Sequence, residues 1–331
     1  MASQNRIQNV AVVGAGGNVG KYIADALVAT GKHKITAITR VDSTSKLPPG
    51  LEVKHVDYND ESSLVEALRG QDALVITLGA HGLSQEVKLV QAAATAGVPW
   101  ILPNEWGFDT GNKQLSRDVM LAGPKEKTRD LIVRLGKSSY IAVCTGFWYE
   151  WSLAIDAAYG FDFANRSVTF FDDGEQKINT STWPQVGRAV ASLLSLKVEP
   201  EGDNDDEPSL AKYRNKHVYV SSFTVNQKDI LESAMRVTKT SEKDWTVTRE
   251  PSHERYRGGV EHMQKNGYGV GFVKLLYTRV FFPDGAGNVE NTKGLLNETL
   301  GLPKEDLDEY TKIAIQRAEQ LGGSSAYLKH D

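Results

Sequence analysis

Short apolar runs alternate with segments of helical period through the first half of the chain. That alternation is the pattern of successive strand–helix–strand units, whose strands pair in parallel. It predicts strands at 10–13, 35–39, 52–56, 73–77, 100–102 and 140–144. It predicts helices at 19–30, at 61–69 behind an Asp60 cap, at 86–96 before Gly97 and Pro99, and through 128–135. Six such strands make an α/β fold with a doubly wound parallel sheet, which binds ligands at the carboxyl ends of its strands. Past residue 150 the alternation stops. Helices are expected at 183–196, 227–237 and 307–321, and strands at 218–220 and 245–248. The acidic, proline-flanked stretch 199–208 reads as a solvated loop. The chain therefore divides into residues 1–150, carrying the sheet, and 151–331, a smaller α/β lobe for substrate, some of whose segments can return to the first half.

Directly after the first predicted strand stands Gly14-Ala15-Gly16-Gly17-Asn18-Val19-Gly20, and a helix opens from its end. One glycine permits the tight turn, one lets the backbone approach a pyrophosphate, and one allows close packing of helix on strand. The free N–H groups of the helix then meet the negative charge. Glycines also mark plain turns, but here the strand before and the helix after both agree. The loop reads as a dinucleotide cradle and the sheet as a Rossmann sheet. NAD proteins usually place an acid for the ribose 2′-hydroxyl at the end of the second strand. In this chain Arg40 stands there, where a guanidinium suits a 2′-phosphate. Thr39, Ser43 and Lys46 add donors, and Asp42 lies in the loop beyond. A surface arginine is the plain alternative; the functional reading expects NADPH. Asp57, after the third strand, is placed for the adenine. Thr77, Leu78, Gly79 and Ala80, after the fourth, are placed beneath ribose and phosphates, although each also suits an ordinary loop.

Composition narrows the class. With 331 residues, 40% hydrophobic and 24% charged, the chain can bury a large core in one enlarged unit or two joined lobes. It has no apolar run of membrane-spanning length and no leader-like start, so a cytoplasmic protein is expected. A lone cysteine, Cys144, sits in an apolar run and reads as a packed, inert thiol. The net charge of −4 comes without a basic block, which gives nucleic acid no footprint. The seven histidines show no ligand spacing, so no metal is expected. Nothing in their spacing marks His262 or Tyr268 as functional.

Two further segments carry a resemblance. Leu102-Pro103-Asn104-Glu105-Trp106-Gly107 is similar to a Pro-Ser-Glu-Phe-Gly element, and Lys125-Glu126-Lys127-Thr128-Arg129-Asp130-Leu131-Ile132 to a lysine-headed helix. With the glycine loop, they make the chain resemble the NmrA-like, isoflavone-reductase-like branch of the atypical short-chain dehydrogenases. That branch includes phenylcoumaran benzylic ether and pinoresinol–lariciresinol reductases and fungal isoflavone-reductase-like oxidoreductases. The likeness covers most of the first 150 residues and is looser beyond, resting on Trp183-Pro184-Gln185-Val186-Gly187-Arg188-Ala189-Val190. It implies NADPH, and a lysine as general acid/base in place of the usual Tyr-x-x-x-Lys pair. No tyrosine here has a lysine four residues on. The resemblance selects Lys125 and sets both it and Asn104 beside the cofactor. Asn104 and Trp106 depart from the family's serine and phenylalanine, and the larger indole puts transfer of the plant substrates in doubt.

Helix geometry sorts the nearby lysines. Thr128, Leu131, Ile132 and Leu135 share a face, and Lys125 falls nearer its centre than Lys127. Lys113 and Lys137 are the other candidates. A catalytic lysine needs partial desolvation or a cationic neighbour, whereas a first-turn lysine after Pro124 is the plain reading. Glu105 either binds loop N–H groups or orients Lys125 or a substrate hydroxyl. Trp106 with Glu105, and Phe147 with Trp148, are the candidate substrate contacts; the aromatic run 147–151 equally suits a core between lobes. Two functions follow. One is an NADPH-dependent reductase of a small aromatic or phenolic metabolite, working as monomer or homodimer. The other, implied by the NmrA side of the family, is a regulator that senses NADP(H) without chemistry.

Overall fold

A computed structural model describes residues 5–202 and 204–321, apart from the side chains of residues 80, 81 and 122. The expected strands form as β1 (Asn9–Val13), β2 (Lys34–Arg40), β3 (Glu52–Val56), β4 (Ala73–Ile76), β5 (Trp100–Leu102) and β6 (Ser139–Cys144). The helices between them are α1 (Gly20–Ala29), α2 (Glu61–Leu68), α3 (Glu86–Ala96), α4 (Lys113–Asp118) and α5 (Ala122–Leu135). Helix α2 is capped by Asp60, whose carboxylate accepts the Ser62 N–H, and α3 ends on Gly97 in the left-handed region. The strands pair in parallel in the order β3-β2-β1-β4-β5-β6. The order reverses between β1 and β4, the crevice where such sheets hold ligands.

The sheet has seven strands, not six. The seventh, Lys216–Tyr219, pairs in parallel with β6 and comes from the second half. The sequence places a strand near there but cannot assign its partner. Its entry is fixed by Asn215, whose N–H donates to the Tyr140 carbonyl and whose side chain accepts the Tyr140 N–H. The helix Trp183–Leu194 also returns, packing on α1 so tightly that a Cβ at Gly187 would lie 2.3 Å from the Tyr22 carbonyl oxygen. One buried cluster therefore joins α1, this helix and one face of the sheet, and a second fills the face under α2, α3 and α5.

A third cluster belongs to the remaining lobe. Two small sheets build it, Phe147–Trp148 with Ile178–Ser181 and Phe223–Val225, and Phe161–Asp162 with Ser167–Phe171 and Thr246–Glu250. Two helices, Ser252–Asn266 and Val270–Val280, complete the lobe and meet at Gly259 and Gly271. A Cβ at Gly271 would lie 2.5 Å from Met263 N, so the backbones touch directly. The acidic loop is not simply solvated: Asp205 and Glu207 fold back onto the buried ammonium of Lys197. Among the described residues no helix is long and apolar enough to cross a membrane.

Glu150 joins the two halves. It is buried, and its carboxylate accepts the Trp183 N–H at 2.8 Å, capping the returning helix. Burial pushes its carboxyl up to about 7, against the lowering effect of that N–H. A carboxyl raised in the folded state holds its proton more tightly there. Its contribution is therefore intact below the unfolded value of 4.5 and is lost as pH climbs towards 7, by ~3 kcal/mol. Glu150→Gln should remove that loss: thermal melts at about pH 8 should show the variant above the parent, with the gap closing towards pH 4.5.

Candidate active site

The glycine loop is shaped by contacts that leave no room for side chains. Gly14 sits at φ +80°, and a Cβ there would come within 2.1 Å of the Thr77 carbonyl oxygen. At Gly20 a Cβ would stand 2.0 Å from the Gly14 oxygen. The Gly17 N–H closes the turn on the Gly14 carbonyl at 2.9 Å. Gly17 and Asn18 face solvent, while the Val19 side chain is anchored in the core. Helix α1 then begins without a side-chain cap and without an acid in its first turn. The Lys21 N–H turns back onto the Gly17 carbonyl at 3.1 Å, and for the N–H groups of this turn that lack such a partner an anion is the acceptor their dipole favours. The residues present thus fit a dinucleotide phosphate.

The loop after β2 crosses this cradle, because a Cβ at Gly16 would lie 2.9 Å from the Lys46 carbonyl oxygen. Gly16 therefore admits the Ser45–Lys46 backbone, a neighbour that the pyrophosphate reading of this glycine did not foresee. Arg40 ends β2 exposed, with Asp42 at 3.5 Å. Such an open pair binds weakly and leaves the guanidinium available. Asp57 is exposed, and its Oδ1 accepts the Asn59 N–H at 2.8 Å in a local turn.

Two residues expected beneath the cofactor do other work. Thr77 is buried, its hydroxyl donating to the Val13 carbonyl at 2.7 Å, so it wedges the glycine loop against β4. The Asn104 side chain pairs both ways with the Leu78 backbone, accepting its N–H at 3.1 Å and donating to its carbonyl at 3.0 Å. It clamps the loops after β4 and β5, and Leu78 serves as its partner. Glu86, buried on α3, fixes the same turn by accepting the Asn104 N–H at 2.8 Å. Gly79 has open space around it.

Lys125 is the inward lysine. Its side chain is 21% exposed, whereas Lys113, Lys127 and Lys137 stand in solvent. Its ammonium donates to the Asn104 carbonyl and, at 3.0 Å, to the Glu105 carbonyl. The Glu105 carboxylate is 3.7 Å away, beyond hydrogen-bond reach. That carboxylate is buried. Arg129 donates to its Oε1, and Thr110 donates to Oε2 at 2.7 Å. Burial opposes its charge, but Lys125 and Arg129 outweigh burial and hold the carboxyl below its usual range. Both Glu105 oxygens thus have partners within the protein, as the structural one of its two expected roles requires.

Thr110 decides a proton position. Its one proton goes to Glu105, and Arg129 donates to it at 3.2 Å. His217 Nε2, also at 3.2 Å, must therefore donate. Burial first, and Arg129 next, lower the tendency of His217 to take a second proton. Arg129, Thr110, Glu86 and His217 were all missed from sequence. Only Arg129 carried a signal, being four residues after Lys125 on one helix face.

The aromatic expectations divide. Trp106 does not face a substrate: it is 5% exposed, its indole N–H donates to the Ile76 carbonyl at 2.6 Å, and its backbone sits at φ +33°. A tryptophan held there is strained, and the buried hydrogen bond offsets that cost. Phe147 is half-buried between Phe108 and Tyr277, and with Phe108, Asn179, Val280 and Gly287 it lines a hollow at the lobe junction. Trp148 turns the other way, onto Trp183. Cys144 is buried, and burial pushes its thiol far up, as an inert thiol requires. His262 and Tyr268 are exposed.

These features define a Rossmann-fold protein with a dinucleotide cradle and an inward lysine at one sheet edge. Residues 6–153 match the model of the NmrA-like family. The Oxidoreductase aprR of Aspergillus flavus is 30% identical over 306 residues, which span 91% of this chain and 96% of that one. Among solved structures, an isoflavone reductase superposes with a TM-score of 0.73 at 19% identity, covering 93% of this chain and 99% of its own. AtPrR2 with NADP+ and (+)pinoresinol gives 0.72 at 19% identity, covering 93% and 99%. The chain belongs to the NmrA-like family and is related over most of its length to a fungal oxidoreductase.

The glycine contacts make a graded prediction. Gly14→Ala, strained and 2.1 Å from backbone, should cost roughly 2–4 kcal/mol in denaturant unfolding. Gly17→Ala, whose Cβ meets only the Gly14 oxygen at 3.2 Å, should cost under about 1 kcal/mol and instead weaken dinucleotide binding.

Proposed function

We propose that this protein is an NADPH-dependent reductase of a small aromatic or phenolic metabolite, with Lys125 as general acid/base. The observation that carries the reading is Lys125 itself: a half-buried ammonium held by two main-chain carbonyls of the loop after β5. The open N-terminus of α1 supports the coenzyme, and the exposed Arg40 and Lys46 support its 2′-phosphate. A fold neighbour holding NADP+ with pinoresinol supports an aromatic substrate. When bound, the coenzyme supplies a hydride to an electron-poor carbon. The oxygen or carbon that gains the electron pair needs a proton, and the Lys125 Nζ gives it and is later recharged from solvent. The Asn104 and Glu105 carbonyls orient Nζ, while Phe147 and Phe108 offer an aromatic wall at the lobe junction.

Calorimetry should show NADPH binding at least about tenfold tighter than NADH, a preference that Arg40→Glu reverses or abolishes. Equal binding of both coenzymes by the parent would refute the cofactor assignment. With a substrate drawn from phenolic ethers, isoflavonoids and quinones, Lys125→Met should lower kcat by about 100-fold or more. Its coenzyme Kd should stay within about threefold. A panel that yields no turnover, together with a partner protein that dissociates on dinucleotide addition, would favour the regulatory reading.

A further inference from the structure

Lys125 and Arg129 lie four residues apart on α5 and face the same buried carboxylate. The three side chains are graded in exposure, with Glu105 at 2%, Arg129 at 9% and Lys125 at 21%. They are graded in contact too. Arg129 donates to Oε1, Thr110 fills Oε2, and Lys125 stands off at 3.7 Å. Arg129 also bonds the Thr110 hydroxyl and carbonyl, at 3.2 and 3.4 Å. His217 donates to the same hydroxyl from the edge strand. The arginine is therefore pinned from several sides and cannot be pushed off by a lysine on a flexible stem.

We propose that Arg129 is a positioning residue that keeps the Glu105 carboxylate off Lys125, so that the lysine stays on its two carbonyl partners with its proton free to leave. This rests on the reading that Lys125 handles the proton. A carboxylate in so dry a place must find a cation. With Arg129 present it has one, and Glu105 needs no bond from Lys125. Without Arg129 the same charge faces a single ammonium 3.7 Å away, and a small side-chain rotation closes a bonded pair. Lys125 would then leave the Asn104 and Glu105 carbonyls, and an ammonium bonded to a buried carboxylate yields its proton poorly. Removing both charges takes away the trap. The expected pattern is a defect in the single variant that the double variant relieves, which loss of a merely structural contact does not produce.

The test needs no substrate. Lys125 is labelled with trace acetic anhydride at about pH 8 and quantified by peptide mass spectrometry, with the exposed Lys127 as internal reference. In Arg129→Gln the Lys125:Lys127 labelling ratio should fall about tenfold, and in Arg129→Gln/Glu105→Gln it should return to within about threefold of the parent. Once a substrate is in hand, kcat should follow the same order, with the coenzyme KM little changed. An unchanged ratio in Arg129→Gln overturns the proposal, and so does a fallen ratio that the double variant fails to recover. Should Arg129→Gln not fold, the double variant decides: parent-like labelling supports the proposal, and a folded protein with a low ratio overturns it. Failure of Lys125→Met to lower kcat defeats the catalytic reading separately, since labelling reports only where the ammonium is held.

Discussion

The first turn of α1 lies against the ends of β1 and β4 with no Cβ between them, and the rest of the site is arranged around that contact. Gly14 packs on the Thr77 carbonyl and Gly20 on the Gly14 carbonyl so closely that a Cβ at either would lie about 2 Å from an oxygen. The helix axis is thereby aimed at the crevice where the strand order reverses. An alanine-sized group at either glycine would move the helix outward, and the uncapped N–H groups would no longer converge. Thr77 maintains the contact from the far side through its bond to Val13. The turn is thus made by main chain and by absent side chains.

The second organising element is a buried carboxylate. Glu105 leaves β5 on a turn, and three groups from separate segments converge on it: Arg129 from α5, Thr110 from the loop before α4, and, through Thr110, His217 from the edge strand. A single ionised group can fix so many segments only if it is fully satisfied, since a buried carboxylate missing one partner is costly. Lys125 profits by standing just outside this network. It takes carbonyls from the same turn and so is placed relative to the sheet edge by the backbone that Glu105 holds.

How much of this was legible follows from how local each cause is. The glycine loop was legible because its requirement is steric and lies within seven residues. The place of Arg40 at the end of β2 was legible by count from that loop, and the inward turn of Lys125 by helical period, since the buried residues Thr128, Leu131 and Ile132 fix which way α5 faces. Asn104, Thr77 and Glu105 were legible as members of the site but not in their roles. A carboxamide or carboxylate in a loop reads alike whether its partner is a ligand or the backbone of the next loop. Trp106 misled for the same reason: an indole can line a pocket or fill a core, and nothing in the sequence announces the φ of +33° or the Ile76 carbonyl that claims its N–H. His217 was illegible, because its relation to Thr110 spans 107 residues and exists only after the seventh strand joins β6. The helices of residues 252–280 escaped notice because small and polar residues, Gly258 and Gly259 among them, interrupt the apolar stripe where the two backbones touch.

The return of the second half explains why the site lies at a seam. The helix Trp183–Leu194 and the strand Lys216–Tyr219 are built into the Rossmann layers, so the lobe between and beyond them is tied to the sheet through one face and one edge. The lobe keeps its own core, and Phe147 sits where that core meets the segment leaving β6. In that arrangement the glycine loop and Lys125 are held by β1, β5, α1 and α5, apart from the core that carries Phe147. Trp106 then acquires a meaning that its burial alone does not give. Its indole fills the space behind the β5 turn and braces the backbone that carries Lys125's carbonyl partners.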